Sequence, residues 1–363
     1  MRQSIPTNPP RSEKGMAILM AMLTLALVST LAAGVLWQQW RAQEEETSSR
    51  YEEQATWLLG AALDWARVIL TEDSKASNTD NKTEPWSIPL QETQLSSFLA
   101  ASSSGVTNNA SDSVGINEAQ AERIYISGRI TDLQSRLNVF NLYNAGQVST
   151  PDLNALTQLF TLLGLPQSEL NRLVLGMGAM SSNSITPNQL NQTNQANQPN
   201  QPNQLAQFAT PQRIEQLSWL GLSAQTLSTI SPFVTWLPVR TPLNLNTAPP
   251  QVLAASFKDL SLSNAQKLAL TRDAQPWNTL EDATNALNAV TKGGAMGGGS
   301  LNSAQFALNS NYFQVFGRLR FDDLVFTERT VLQRANQQTL ILWRERRAAG
   351  AEPGCFSTIE PPC

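Results

Sequence analysis

The chain has 363 residues, a formal net charge of −4 and a sequence pI near 5.1, a balance that argues against a broad basic surface for nucleic acid or anionic membrane. Histidine is absent, which removes the commonest general base and zinc ligand and with them Ser-His-Asp and Cys-His enzymes. Hydrophobic residues make up 41% of the chain, enough for a real core, in about one to three domains.

Residues 1–15 form a polar leader in which Arg2, Arg11 and Lys14 stand against Glu13, ending in Lys14-Gly15. The apolar run Met16–Trp37 follows at once: 22 residues, softened only by Thr24, Ser29 and Thr30. As a helix it spans roughly 33 Å, enough for a hydrocarbon core of ~30 Å. The apolar part of a cleaved secretory signal has only ~7–15 residues. The longer run here predicts a transmembrane helix over 16–40 that stays on the protein. The positive leader and the acidic Glu44-Glu45-Glu46 beyond the helix fit a cytoplasmic N-terminus and an exported body.

A basic leader, then glycine, then an uncleaved apolar helix resembles the class III signal of type IV pilins and type II secretion pseudopilins. The resemblance implies cleavage by prepilin peptidase between Gly15 and Met16, and N-methylation of Met16. Most members carry glutamate at the fifth mature position, where this chain has Met20. In the family that carboxylate is thought to meet the amine of the subunit above, since a carboxylate in the membrane is costly unless paired. Its absence is characteristic of the minor pseudopilin K family and implies a place at the tip of the fibre. Ala32, Ala33 and Gly34 permit close approach of a neighbouring helix.

Beyond Arg41 the helix is expected to continue to Leu70, with Leu58, Ala61, Ala62, Trp65, Val68 and Ile69 as the buried stripe. Thr71–Ala119 is polar and reads as a long surface connection. From Ile124 to Ile130 apolar and polar residues alternate, a strand pattern. The stretch Ser127–Asn144 resembles a K-family signature in which a strand runs through Asp and Arg into an Asn-rich turn; Asp132, Arg136, Asn138 and Asn141 match it. Those polar residues read better as holding a turn between domains than as a chemical site. Thr150-Pro151 predicts a helix start, with helices over Asn154–Leu163 and Glu169–Leu175. Here Leu175–Met180 replaces an acidic stretch common in the family. The unit Asn-Gln-X occurs six times from Asn188 on; without aromatic or branched apolar residues, 188–207 is expected to be a disordered insertion.

Helices are expected again over Pro211–Leu220 and Ala224–Ile230. The block Trp236–Phe257 resembles a second K-family signature: Asn244 and Asn246 would bridge turn amides, and Thr247 would cap the next helix. Further helices are predicted over Ser263–Arg272 and Thr279–Val290, the second with a Thr279-Leu280-Glu281-Asp282 capping box. Gly293–Gly299 lacks the Lys-Ser/Thr ending of a phosphate loop and reads as a linker. Alternation over Phe313–Phe321, Phe326–Gln333 and Thr339–Trp343, with a turn at Asn336-Gln337-Gln338, predicts an antiparallel meander that joins the strand at Ile124. Cys355 and Cys363 enclose a nine-residue tail loop; in an exported protein they favour one disulfide over two unpaired thiols.

Two rival classes compete with this reading. Asn244–Val290 also resembles helix-hairpin-helix DNA-binding proteins, which would make the chain a competence-type minor pilin. Its turn, Lys258–Ser263, has no glycine and one acid, so the phosphate grip is missing. An enzyme would need converging acids. Asp322-Asp323 and Glu281-Asp282 are adjacent pairs, which point to different faces of a strand and read better as solvated.

The expected fold is α+β. A pilin-like body has a long N-terminal spine helix, an antiparallel sheet and a large inserted all-α domain of helix-hairpin-helix type. The expected borders are a leader at 1–15, the membrane helix at 16–40, and the spine and first part of the body at 41–149. The helical domain follows at 150–290, then the C-terminal strands and tail at 291–363. The resemblance implies no catalysis and no required cofactor. It implies minor pseudopilins I, J and H, the major pseudopilin G, the inner-membrane assembly platform and the prepilin peptidase as partners. The secretin, exported proteins and no nucleic acid complete that expectation. A structural Ca²⁺ is reported for the family's fold, and Asp322, Asp323 and Glu328 are the candidate oxygen ligands here.

Overall fold

The computed structural model describes residues 14–102, 121–144, 146–182, 211–291, 300–322, 324–335 and 338–350. The leader before Lys14, the Asn/Gln-rich stretch 188–207, Gly293–Gly299, Asp323, Asn336, Gln337, Cys355 and Cys363 lie outside the described residues.

A proline-free stretch rich in Ala, Leu, Met, Glu and Gln forms one helix, α1, Lys14–Ala76, of 63 residues. Contacts divide the chain into two units, one ending at Leu58 and one starting at Leu59. In the first unit every side chain from Met16 to Glu46 is exposed, including Leu19, Met20, Leu23 and Trp37. Among the described residues this is the helix long and apolar enough to cross a membrane. Apolar side chains on all faces need an apolar surrounding, not a protein core on one side.

In the second unit the end of α1 buries Leu59, Leu63, Ala66 and Leu70, spaced four, three and four residues apart on one face. This corrects the expected stripe. Leu58 is buried as expected, but Ala61, Trp65 and Val68 are exposed and Ala62 and Ile69 only partly covered, because the buried row runs one position later. Trp65 instead meets Phe98 edge-on at a flank, ring centres 5.9 Å apart.

Thr71–Ala119 also differs from expectation, since it holds structure rather than a plain connection. Helix α1 runs on to Ala76, and a 3-10 turn at Pro85–Ser87 buries Trp86 against Phe313 at 5.3 Å. Strand β1, Leu90–Gln94, and helix α2, Leu95–Ser102, follow. The sequence LQETQ has no alternating apolar pattern because it forms an edge with little burial, and its pairing is irregular between Leu90 and Thr93.

Strand β2, Ile124–Asp132, leads into the polar turn and then into helices α3, Thr150–Leu162, and α4, Gln167–Ser182. A 3-10 segment, Ile214–Leu220, stands where a helix was expected, and α5, Ala224–Ile230, follows. Helices α6, Pro250–Ser256, α7, Leu262–Ala274, and α8, Leu280–Val290, complete the helical part. The box at Thr279 forms as expected, with Thr279 and Asp282 bonding each other's backbone N–H. The chain then returns as β3, Tyr312–Phe321, β4, Leu324–Ala335, and β5, Gln338–Gly350.

These five strands make one sheet in the order β1-β2-β3-β4-β5, every neighbour antiparallel. The α+β expectation holds: β2 lies beside β3 although all the helices from α3 to α8 separate them in sequence. Gly128 faces Gly317 across this pair, and a Cβ on Gly128 would stand 2.9 Å from the Phe316 carbonyl oxygen. The sheet's inner face packs Phe313 and Leu332 on Leu63, Leu70 and Trp86. The helices bury two clusters of their own, one around Leu159, Phe160, Leu217 and Ile230, the other around Leu253, Phe257, Leu268 and Leu287.

Candidate functional site

Asp132, the last residue of β2, is 3% exposed and is the hub where sheet and helices meet. One carboxylate oxygen accepts from the Gln134 N–H at 2.7 Å, turning the chain out of the strand. The other accepts from the Ser310 hydroxyl at 2.7 Å, the Asn244 amide at 3.0 Å, and the Thr247 hydroxyl. Residues more than a hundred positions apart thus close on one carboxylate. Burial is the main cause that raises the Asp132 pKa to about 6, with Asp80 adding to it and the hydroxyl donors opposing it.

The remaining motif asparagines are turn-builders. Asn138 accepts from the N–H of Phe140 at 3.1 Å and of Leu237 at 3.2 Å, and donates to the Val239 carbonyl at 2.8 Å. Asn141 and Thr241 exchange two bonds, at 2.8 and 3.1 Å. The backbone N–H of Asn246 donates to Asn244, while its side chain exchanges two bonds with the Trp277 backbone, at 2.9 and 3.1 Å. Arg136 donates to the Ser231 carbonyl at 3.2 Å. A cleft of about 180 Å³ opens beside them, lined by Arg136, Asn138, Asn141, Asp152, Thr241 and Lys258.

Thr247 does not cap a helix. Its hydroxyl goes to Asp132, and Pro249 stands at the N-cap of α6 with Pro250 as the first helical residue. A capping side chain accepts from the N–H two or three positions on, and Pro249 has no oxygen to do so. The turn between α6 and α7 carries Asp259 in the left-handed region, φ 65°, where the helix-hairpin-helix pattern asks for glycine.

Sequence reading missed three members of the junction. Asp80 accepts from the Ser310 N–H at 2.7 Å and from Arg334, which grips both its oxygens at 2.6 Å. Arg334 also bonds Asp73 at 3.0 Å and lies over the Phe313 ring at 4.8 Å. Arg334 shares a strand face with Leu332 and Thr330, so a charge in an apolar register was the available signal.

Of the expected calcium ligands, the two that are described, Asp322 and Glu328, do not come together. Asp322 sits at the β3–β4 turn, bonded by Arg123 at 2.5 and 3.2 Å. Glu328 is buried four residues inside β4 and is gripped by Arg344 at 3.1 Å and by Arg346. Each carboxylate is answered by guanidinium, and the two do not fit one ion's shell. The carboxylates that do converge among the described residues are Asp73, Asp80 and Glu84, with oxygens within 4.8 Å of one another. Arg334 supplies positive charge to the first two, and Trp86 and Asn81 donate to Glu84 at 2.7 and 2.9 Å. Burial first, then the Glu84 and Asp80 charges, raise the Asp73 pKa to about 7.

A long exposed apolar helix, an antiparallel sheet on its far half and a helical region between two adjacent strands define a pilin-like protein with a helical insertion. Two family models described as type II secretion system protein K match residues 135–239 and 243–301. Over those residues the chain is similar to the type II secretion system protein K family. It is 22% identical over 324 residues to the type II secretion system protein K of Pseudomonas aeruginosa, covering 86% of each chain. Its fold is similar to a chain in the crystal structure of the GspK-GspI-GspJ complex of the enterotoxigenic Escherichia coli type 2 secretion system. That match has a TM-score of 0.58 at 16% identity, covering 84% of this chain and 99% of the other. The matched segments contain Arg136, Asn138 and Asn141 in one and Asn244, Asn246 and Thr247 in the other.

Proposed function

We propose that this chain is a minor pseudopilin that caps the tip of a periplasmic pseudopilus, starts its assembly and supports export of folded proteins through the outer-membrane secretin. It does this by assembly rather than catalysis. Its partners are the I and J proteins named with its structural relative, with minor pseudopilin H and the major pseudopilin G below them, on the inner-membrane assembly platform. The observation that carries this reading is Met20, an apolar side chain on a lipid-type helix where fibre subunits of the resembling class hold a carboxylate for the subunit above.

In this reading the protein is a single-pass inner-membrane protein with its bulk in the periplasm. Prepilin peptidase cuts between Gly15 and Met16 and methylates Met16. Cys355 and Cys363 form a disulfide that pins the tail.

N-terminal sequencing of protein extracted from membranes tests the reading directly. A start at methylated Met16 supports it, and an intact Met1 or a cut after Ala33 sinks it. Gly15→Ala blocks processing and secretion; normal secretion by that variant would overturn the assignment. Thiol labelling without reductant checks the tail, since a disulfide leaves neither cysteine reactive.

A further inference from the structure

The apolar run of α1 ends in a band whose chemistry differs from the rest of it. Every side-chain hydroxyl between Met16 and Leu36 is satisfied inside the helix. Thr24 donates to the Ala21 carbonyl at 3.0 Å, Ser29 to that of Leu25 at 2.8 Å and Thr30 to that of Leu27 at 2.9 Å. No side chain there asks for a polar partner, which is the condition a hydrocarbon layer sets.

The next four residues, Trp37-Gln38-Gln39-Trp40, are the opposite case. All four are exposed, the two indoles at 61% and 63%. Among the described residues no hydrogen bond ties either indole N–H or either glutamine amide to the protein. Successive helical residues stand about 100° apart, so the four ring the helix rather than mark one face. A neighbouring helix would answer one side of such a ring, whereas a layer answers all of it. An indole needs apolar surroundings for its ring and an acceptor for its N–H, and a boundary between hydrocarbon and water supplies both.

Length puts the band at such a boundary. From Met16 to Trp37 the helix rises ~32 Å, against ~30 Å of hydrocarbon, and Trp40 stands ~4.5 Å further on, in the polar layer. Charge begins at once beyond it. Arg41 pairs with Glu45 at 3.4 Å, and its guanidinium carbon lies 5.8 Å from the centre of the Trp37 ring. That cation already has a carboxylate, so the groups left wanting are the neutral donors, which lipid ester carbonyls and interfacial water satisfy.

We propose that Trp37, Gln38, Gln39 and Trp40 form a collar that binds the ester and headgroup layer of the leaflet on the Arg41 side and fixes how deep the helix sits. The proposal rests on the membrane-anchor reading given above and adds which residues hold the depth. Sliding outward by one turn carries the indoles into water, and sliding inward brings Arg41 to the hydrocarbon edge.

The test uses the full chain reconstituted in phosphatidylcholine vesicles whose lipids carry bromine, a quencher of indole fluorescence, near either the ester end or the methyl end of the acyl chains. The chain has nine tryptophans, so the collar's signal is the wild type minus Trp37→Phe with Trp40→Phe. Shallow bromine should quench that signal at least about two-fold more than deep bromine. Trp57, beyond the polar stretch 41–56, is the control, and the signal lost in Trp57→Phe should be quenched by neither. An alkaline carbonate wash beforehand separates the two readings. Release of the chain would sink the membrane anchor and the collar together. Retention with deep quenching dominant, equal quenching from both depths, no quenching, or a Trp57 signal quenched like the collar's would overturn the collar alone.

Discussion

Replacing Asp132 by asparagine separates two effects that the wild-type protein superimposes. The first is independent of pH. The new amide NH₂ would point at donors, and the hydroxyls of Ser310 and Thr247 can turn to accept from it while the Asn244 NH₂ cannot. That mismatch costs about 1–3 kcal/mol at every pH. The second effect is titration. Folding raises the Asp132 pKa from 3.8 to about 6. A carboxyl whose folded pKa is raised contributes stability that is complete below its unfolded value and is lost as pH rises through the folded one. At ~1.36 kcal/mol per pKa unit, this loss is about 3 kcal/mol. Asparagine does not titrate, so the variant lacks this slope. Denaturant unfolding of detergent-solubilised wild type and Asp132→Asn should therefore give a stability difference that shrinks by about 3 kcal/mol from about pH 4 to about pH 7. Asp73, raised to about 7, titrates in both proteins and cancels from the difference. Parallel stability curves over that window would refute the buried, under-compensated carboxylate.

Arg334→Ala strips the cation from two carboxylates at once, and unfolding curves should show a loss of about 3–5 kcal/mol, larger at high pH where Asp73 is charged. Asn138→Ala leaves the Phe140 and Leu237 N–H groups and the Val239 carbonyl without their partner, and denaturant unfolding should register about 2–4 kcal/mol. Gly128→Ala should destabilise by about 1–3 kcal/mol, because its methyl meets a backbone oxygen of the next strand. Gly60→Ala on α1, with nothing within 4 Å of a new Cβ, should leave thermal unfolding unchanged or raise it slightly.

The elements with strong periodicity were legible. Alternation at Ile124 and Phe313 gave two central strands, and Ser263, Thr279 and Pro151 marked helix starts within a residue or so. The motif asparagines read correctly as turn-holders, because a short amide side chain that mimics the backbone has few other uses in a Pro-rich turn. The junction as a whole was not legible. Asp132, Thr247 and Ser310 each look like ordinary local polar residues, and only the tertiary fold puts their atoms on one carboxylate. Asp80 was hidden in a polar stretch that composition alone assigns to the surface. The α1 stripe went astray by one position because Trp65 weighs heavily in any apolar pattern, although its ring belongs at a flank.

The neighbouring places of β2 and β3 have a consequence for how the chain is made. Everything from the turn after Asp132 to Asn311 must be synthesised before β2 can meet its inner partner. Closing a loop of roughly 180 residues carries a higher entropic cost than closing a hairpin, although that cost grows only as the logarithm of length. Until then β2 shows a long unpaired edge, the kind that recruits foreign strands. High contact order makes sheet closure the slow step of maturation. Strands β3 to β5 therefore decide when the sheet becomes whole, and a truncation before Ser310 leaves the Asp132 hub without that hydroxyl and the spine's leucines without their sheet.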